Sequence, residues 1–220
     1  ITWMNTATGG VMGYGYDPAL SEGAVKCPVF QTSTFVFRTA EEGKAFFEMA
    51  HGKPGHEGEK MGLIYSRINN PDMEILEERL KIWDGGEAAA VFSSGMSAIA
   101  TSLVSFLKPG DILLFSNPIY GGTHKFIHYM LDNWGVTAIG FTAGDSKEQI
   151  IELIDKHKAA EKLKMIYIET PANPTNDLID IRMCSEIASK YSTPEKRILL
   201  AVDNTYMGPL WQHPLKHGAD

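Results

Sequence analysis

The chain has 220 residues, of which 44% are hydrophobic and 21% are charged, and its net charge is −7. This composition is typical of a globular protein with a substantial core, and an acidic balance without a basic stripe excludes nucleic acid as a partner. No apolar run is long enough to span a bilayer and residues 1–5 do not resemble a signal peptide, so we expect no membrane association. The two cysteines, Cys27 and Cys184, form no disulfide framework, which fits a reducing cytoplasm as the location.

Residues 1–60 lack the periodic pattern of an independent core. A Gly-Tyr-Gly sequence at residues 13–15 starts like a dinucleotide-binding loop, but no third glycine follows and Pro18 stands where a helix would begin. Residues 39–49 predict a short helix, and residues 51–61 predict a polar loop. We therefore expect residues 1–60 to form an arm that packs on a neighbouring subunit.

A regular pattern begins at Asn70, which predicts a helix N-cap. Pro71 takes the first helical position, and a Gly-Gly pair at residues 85–86 ends the helix. Four apolar residues at helical spacing predict one apolar face on this helix: Met73, Leu76, Leu80 and Trp83.

Beyond residue 86 the chain alternates apolar strands with amphipathic helices. We predict strands at residues 88–92, 112–115, 136–140, 165–168 and 198–202. One helix begins after residue 95, and others cover residues 122–134, 147–158 and 180–191. The helix at residues 122–134 is predicted to have five inward residues: Phe126, Ile127, Met130, Leu131 and Trp134. Fully apolar strands joined by helices predict an α/β fold with a mostly parallel sheet and helices on both faces.

Ligands bind such sheets beyond the carboxyl ends of the strands. After the strand predicted at residues 88–92, a small polar turn containing Ser94, Gly95 and Met96 leads into a helix, and such a turn points backbone N–H groups at an anion. Gly95 lets a ligand approach the backbone, and the Ser94 hydroxyl can add a hydrogen bond. By itself the turn is either a phosphate cup or an ordinary serine-capped helix start.

Other strand ends also carry polar side chains. Tyr120 either packs or stacks on a flat ring, and prolines on both sides of Asn173 stiffen its loop. Asp203 directly follows the last strand, where it is either a turn residue or a carboxylate that holds a protonated ring nitrogen. A phosphate cup, a stacking ring, an amide and a carboxylate together describe a pocket for pyridoxal phosphate.

Five short motifs in a fixed order give the chain a resemblance to a known family: YSRINNP at 65–71, SGMSA at 94–98, PIYGGT at 118–123, ETPANP at 169–174 and DNTY at 203–206. In this order they resemble the trans-sulfuration family of pyridoxal-phosphate enzymes. The resemblance implies the aspartate-aminotransferase-like fold (fold type I), with residues 61–220 as the first part of its large domain. It also implies pyridoxal 5'-phosphate as the cofactor.

The resemblance assigns five residues to the cofactor phosphate. Gly95 and Met96 are expected to donate backbone N–H groups to it, with the Ser94 hydroxyl beside them. Tyr65 and Arg67 are expected to reach the same phosphate in a neighbouring subunit, because an arginine fork suits phosphate geometry.

Four residues are expected to act on the ring. Tyr120 stacks on it and assists departure of the leaving group, and Asp203 pairs with the ring nitrogen, which strengthens the ring as an electron sink. Asn173 contacts the ring oxygen or the substrate. Thr205 is expected to support the residues that contact the ring.

The chain departs from the family in two ways. The lysine that binds the cofactor covalently and the arginine that binds the substrate carboxylate do not occur in their contexts. We therefore expect this chain to be the front half of the enzyme, with the C-terminal part of the fold supplied by a continuation or a second chain. Methionine gamma-lyases generally carry a cysteine two residues after the stacking tyrosine, where this chain has Gly122, as cystathionine enzymes and sulfhydrylases do.

The expected function is that of a carbon–sulfur lyase performing γ-elimination on a sulfur amino acid, similar to methionine gamma-lyase or cystathionine gamma-lyase. Two alternatives remain: γ-replacement on a homoserine amino acid, as in cystathionine gamma-synthase or O-acetylhomoserine sulfhydrylase, and a non-catalytic homologue that only binds cofactor. The role of Arg67 implies a homo-oligomer, a dimer that shares active sites or a tetramer. His124 and His128 have the spacing of two metal ligands, but no third ligand accompanies them, so no metal site is predicted.

Overall fold

The computed structural model describes residues 14–220, which fall into two compact units, one ending at Val91 and the other beginning at Phe92. Residues 1–13, which include the first part of the expected arm and the start of the Gly-Tyr-Gly sequence, lie outside the described residues. The packing of residues 1–60 on a neighbouring subunit remains a prediction. None of the helices between residues 14 and 220 has the length and apolarity needed to cross a membrane.

The first unit contains a 3₁₀ turn at Pro18–Ser21 and two helices, α1 (Ala40–Ala50) and α2 (Pro71–Asp84). The side chains of Thr39 and Asn70 cap the two helices by accepting hydrogen bonds from backbone N–H groups of the first turn. Both helices therefore begin where the sequence predicts, because a cap is a local signal.

The apolar face of α2 is largely exposed. The helix buries Ile75, whereas the four residues of the predicted apolar face, Met73, Leu76, Leu80 and Trp83, are 36–45% exposed. Helical periodicity shows which residues share a face, but burial also requires another element that packs against that face.

The second unit is built on four parallel strands, β1 (Ile112–Ser116), β2 (Thr137–Phe141), β3 (Leu163–Glu169) and β4 (Leu199–Asp203). Their spatial order is β2-β1-β3-β4, and every neighbouring pair is parallel. The helices of this unit are α3 (Gly95–Phe106), α4 (Gly121–Phe126), α5 (Lys147–Lys156), α6 (Ile181–Tyr191) and α7 (Gly208–Trp211). This arrangement confirms the predicted α/β fold with a parallel sheet.

Helices cover both faces of this sheet. On the face that we call the α6 face, α5 and α6 bury Ile150, Ile154, Cys184 and Ile187 against Leu114, Ile166 and Leu200. On the opposite face, the α3 face, α3 and the segment after α4 bury Leu103, Leu107, Ile127 and Leu131 against Leu113, Phe115, Met165 and Tyr167. The sheet is therefore sandwiched between helices, as its fully apolar strands predict.

The strand predicted at residues 88–92 does not form. Within residues 14–220 no neighbouring strand pairs with this segment. The prediction was wrong because an apolar run supplies the side chains of a strand, whereas a strand also needs a hydrogen-bonded partner.

The helix predicted at residues 122–134 changes its geometry. After α4 the chain continues as a π-helical turn, Ile127–Leu131, in which Asp132 N–H donates to the Ile127 carbonyl. This wider turn shifts the faces: Ile127 and Leu131 are buried as predicted, whereas Met130 and Trp134 are exposed. The prediction of an inward Met130 and Trp134 was therefore wrong.

Candidate functional site

The carboxyl ends of the four parallel strands lie at one edge of the sheet, and the loops beyond them carry the expected ligand residues. Tyr120 lies beyond β1, Asn173 beyond β3, and Asp203 is the last residue of β4. Asp203 pairs in register with Glu169, the last residue of β3. Because side chains alternate along a strand and Tyr167 belongs to the α3 face, Glu169 and Asp203 also belong to that face.

The start of α3 has the geometry of an anion site. Ser94 is its N-cap: the Ser94 Oγ accepts from Ser97 N–H at 3.1 Å, and the Ser94 carbonyl accepts the first helical bond from Ala98 N–H. The N–H groups of Gly95 and Met96 precede that bond and therefore point out of the helix start. A Cβ atom added to Gly95 would meet no atom within 4 Å, so the turn is open to a ligand.

Tyr120 lies next to the start of α3. A Cβ atom added to Gly122 would lie 2.5 Å from the ring atom Cε1 of Tyr120 and 2.9 Å from the sulfur of Met96. The ring of Tyr120 therefore rests against the backbone of Gly122, close to the anion turn, and the residue is 40% exposed. A side chain at position 122 would have to displace the Tyr120 ring or the Met96 sulfur.

Asp203 is held by three donors. Its Oδ1 accepts from the backbone N–H of Thr205 at 3.1 Å and from the Thr205 hydroxyl at 2.5 Å. Its Oδ2 accepts from the hydroxyl of Tyr167 at 3.4 Å. Burial, together with the negative charges of Asp203 and Glu169, raises the pKa of Tyr167, so its hydroxyl keeps the proton that it donates.

Sequence reasoning missed Glu169 as an individual site residue. Its buried carboxylate accepts hydrogen bonds from the backbone N–H groups of Tyr120 and Asn173. Burial raises the pKa of Glu169, and these two hydrogen bonds oppose that effect. The signal was present, because a carboxylate ends the apolar strand β3 just as Asp203 ends β4, and the same reasoning would have found it.

Tyr65 and Arg67 belong to the first unit. Tyr65 forms an isolated antiparallel bridge with Thr34. Arg67 is exposed, and its Cζ lies 5.2 Å from the centre of the Tyr65 ring. The two side chains are thus neighbours, with the guanidinium accessible to an anion.

The histidine pair predicted on the helix after β1 is exposed. The rings of His124 and His128 lie 4.4 Å apart between centres. In the part of the chain that the structure describes, no group of three or more His, Cys, Asp or Glu residues could hold a metal ion.

The comparisons with known proteins agree on one family. A family model described as Cys/Met metabolism PLP-dependent enzyme matches residues 11–220. L-methionine gamma-lyase of Pseudomonas putida is 37% identical over 211 residues, which cover 94% of this chain and 47% of that protein. Human cystathionine gamma-lyase is 36% identical over 168 residues, 76% of this chain and 39% of that protein.

A solved structure is similar over almost the whole chain. The crystal structure of a putative O-acetylhomoserine (thiol)-lyase from Campylobacter jejuni, which contains an N'-pyridoxyl-lysine-5'-monophosphate, has a TM-score of 0.81 and 29% identity. The match covers 96% of this chain and 47% of that one. The chain therefore spans about half the length of the relatives it matches.

Proposed function

Because this chain belongs to the Cys/Met metabolism PLP-dependent enzyme family, we propose that the protein is a carbon–sulfur lyase that catalyses γ-elimination on a sulfur amino acid. The family match confirms the predicted resemblance, and the structural likeness confirms the fold of type I pyridoxal-phosphate enzymes. One observation carries the proposal. The start of α3, the Tyr120 ring and the Asp203 carboxylate meet at one edge of a single sheet.

The residues at this edge fit pyridoxal 5'-phosphate. The N–H groups of Gly95 and Met96, beside the Ser94 hydroxyl, form a donor set for its phosphate, and the open space in front of Gly95 admits it. The exposed ring of Tyr120 offers a face for stacking. Asp203 supplies the negative charge that would hold a proton on the ring nitrogen.

Pyridoxal phosphate supplies the electron sink for the pair released from the Cα–H bond. The protein's part is to hold the groups around it in fixed positions. Thr205 and Tyr167 donate to the two oxygens of Asp203, and these bonds fix the direction of the carboxylate that would pair with the ring nitrogen. Tyr120 would assist departure of the leaving group, and Asn173 would contact the ring oxygen or the substrate.

Gly122 disfavours a strict methionine gamma-lyase, so γ-replacement on a homoserine amino acid is a second candidate function beside elimination of the cystathionine gamma-lyase kind. A side chain at this position would contact the Tyr120 ring and the Met96 sulfur. Position 122 therefore adjoins the proposed leaving-group residue, and its lack of a side chain lets the Tyr120 ring rest against the backbone. The family resemblance associates glycine at this position with cystathionine enzymes and sulfhydrylases.

We also propose that the active form is a homo-oligomer in the cytoplasm, with active sites shared between at least two subunits. Tyr65 and Arg67 lie in the first unit, and the guanidinium is exposed beside the tyrosine ring. An exposed arginine suits a phosphate supplied by a neighbouring subunit. Sedimentation of the complete protein with and without pyridoxal phosphate tests this, and a monomer with full cofactor affinity would contradict it.

The test of the reaction uses the complete protein reconstituted with pyridoxal phosphate. L-methionine and L-cystathionine are supplied separately, and released thiol and 2-oxo acid are measured. We expect both products from at least one of these substrates, and their loss in the Asp203→Asn variant. If product forms only when O-acetyl-L-homoserine and a thiol are both supplied, the reaction is γ-replacement and the proposal of γ-elimination is wrong. Cofactor binding without any product would favour the non-catalytic homologue.

A further inference from the structure

Glu169 is a buried carboxylate at the end of β3 with both oxygens occupied. It is 3% exposed. Its Oε2 accepts from the backbone N–H of Tyr120 at 2.5 Å, and its Oε1 accepts from the backbone N–H of Asn173 at 3.0 Å. Its own backbone N–H donates to Ser116 Oγ at 3.1 Å. One side chain therefore joins the loop after β1 to the loop after β3.

Each of these two loops carries a residue that the proposed function assigns to the cofactor. Tyr120 precedes α4, a short helix whose N-cap makes no side-chain hydrogen bond of its own. The Glu169 carboxylate accepts from the Tyr120 N–H, one of the backbone N–H groups that a helix start leaves without an intrahelical acceptor. Asn173 lies between two prolines, and its N–H bond to Glu169 fixes the backbone from which its amide projects.

The electrostatic setting of Glu169 indicates that the carboxylate serves a purpose other than stability. Within residues 14–220, none of the ion pairs includes Glu169. Asp203, a second carboxylate, is its in-register neighbour on β4. A buried carboxylate without a cation and beside a like charge is unfavourable, and two backbone N–H groups compensate for only part of that cost.

We propose that Glu169 is a positioning residue: its carboxylate ties the backbone of Tyr120 to that of Asn173 and so fixes the ring-stacking and amide groups relative to each other. This inference rests on the proposed function, because it concerns the same cofactor site. Glu169 itself contacts neither cofactor nor substrate in this scheme, and it acts through the two loops.

The substitution Glu169→Gln tests the role with little change of shape. A glutamine amide accepts through one oxygen and donates through its nitrogen, so one of the two N–H groups loses its acceptor and faces a donor. We expect the dissociation constant for pyridoxal phosphate to rise about tenfold or more, with a shifted absorption band of the bound cofactor. Affinity for inorganic phosphate is expected to stay unchanged, because the turn at Ser94, Gly95 and Met96 keeps its geometry.

Ser116→Ala is the matched control. It removes the buried hydrogen bond to the backbone N–H of Glu169 but leaves both carboxylate bonds in place. We expect it to lower the stability while the affinity for pyridoxal phosphate and the absorption band stay close to wild type. Equal weakening of cofactor binding by both variants, or none by Glu169→Gln, would reduce Glu169 to a purely structural residue and overturn the proposal.

Hydrogen exchange in the absence of cofactor tests the two hydrogen bonds from the Tyr120 and Asn173 N–H groups to the Glu169 carboxylate, which we call the clamp. The N–H groups of Tyr120 and Asn173 are expected to exchange slowly although both lie in loops, and Glu169→Gln is expected to release at least one of them. Fast exchange of both in the wild type would overturn the clamp. Slow exchange in a protein that binds no pyridoxal phosphate would instead overturn the proposed function and leave the clamp geometry intact.

Discussion

The two faces of the sheet use the same strands for different purposes. On the α6 face, the residues that pack between helices and strands are apolar, and Ile187, Ile154 and Leu200 are fully buried. The α3 face begins in the same way, with Leu103 and Leu113, but β3 and β4 end on it in polar residues. On β3, Tyr167 precedes Glu169 toward the carboxyl edge of that face, and Asp203 lies beside Glu169 on β4.

This difference shows how one sheet provides both stability and a site. The packed residues of the α6 face are apolar, so this face contributes stability. The α3 face carries carboxylates at its edge, and each of them needs hydrogen-bond donors that fix its direction, because burial of an unpartnered charge is costly. The comparison predicts that substitutions on the α6 face change stability, whereas substitutions at the edge of the α3 face change cofactor binding and catalysis.

The largest effect is expected from Asp203→Asn. Asparagine keeps an oxygen for the Thr205 donors but removes the charge that would hold the proton on the ring nitrogen. We expect turnover to fall about 10²- to 10³-fold, with a small change in stability. The control is Asp155→Asn, an exposed carboxylate of α5, which is expected to leave turnover unchanged. Unchanged turnover in Asp203→Asn would contradict the proposal that the carboxyl edge of the α3 face forms the cofactor site.

On the α6 face, Ile187→Ala is expected to lower the free energy of unfolding by about 2–5 kcal/mol. Ile187 is fully buried, so the truncation leaves a cavity between α6 and the sheet. Denaturant unfolding measures the change, and a titration measures the affinity for pyridoxal phosphate, which is expected to stay near wild type. Leu210→Ala, at an exposed leucine of α7, is the control with little effect. A large loss of cofactor affinity in Ile187→Ala would contradict the prediction that substitutions on the α6 face change stability and not cofactor binding.

Tyr167→Phe sharpens the comparison through its pH dependence. Because burial raises the pKa of Tyr167, the folded state keeps the phenolic proton above about pH 10, where an unfolded tyrosine loses it. The wild-type stability from this group is complete below about pH 10 and falls as the pH rises further, by about 1.4 kcal/mol per pH unit. Phenylalanine has no such proton, so the unfolding free energy of the variant is expected to fall less steeply with pH above about pH 10.

Denaturant unfolding on both sides of pH 10 measures this slope. The exposed Tyr129 offers a control, since Tyr129→Phe removes a tyrosine whose environment resembles that of the unfolded chain. Identical alkaline slopes in the wild type and in Tyr167→Phe would mean that the Tyr167 hydroxyl is not held protonated beside Asp203.

The smallest effect is expected from Ser94→Ala at the start of α3. It removes the N-cap bond to Ser97 N–H and is expected to cost about 1 kcal/mol of unfolding free energy. Ser102→Ala in the middle of the same helix removes a bond to the Ala98 carbonyl and is expected to change stability little, because such a bond adds nothing to the helix. A cost for Ser102→Ala equal to that for Ser94→Ala would mean that Ser94 is not a functioning cap.

Much of the fold was predictable because its signals are local. Asn70 and Pro71 predict the start of α2, and the helix predicted from residue 180 forms as α6 with Asp180 as its N-cap. The strands at β1 and β3 were predicted within two residues of each end from their apolar runs. The strand predicted at residues 88–92 failed, since its formation depends on a partner that is not adjacent in sequence.

The family, the parallel α/β architecture and the residues beyond the strand ends can be read from the sequence, because caps, apolar runs and the five motifs consist of contiguous residues. The π-helical turn at Ile127–Leu131 and the exposure of the apolar face of α2 emerge only from the packed fold. The same is true of the bonds by which Glu169 joins Tyr120 to Asn173. These features depend on which distant backbone groups and surfaces meet, and that meeting is set by packing across the sheet, which no short stretch of sequence encodes.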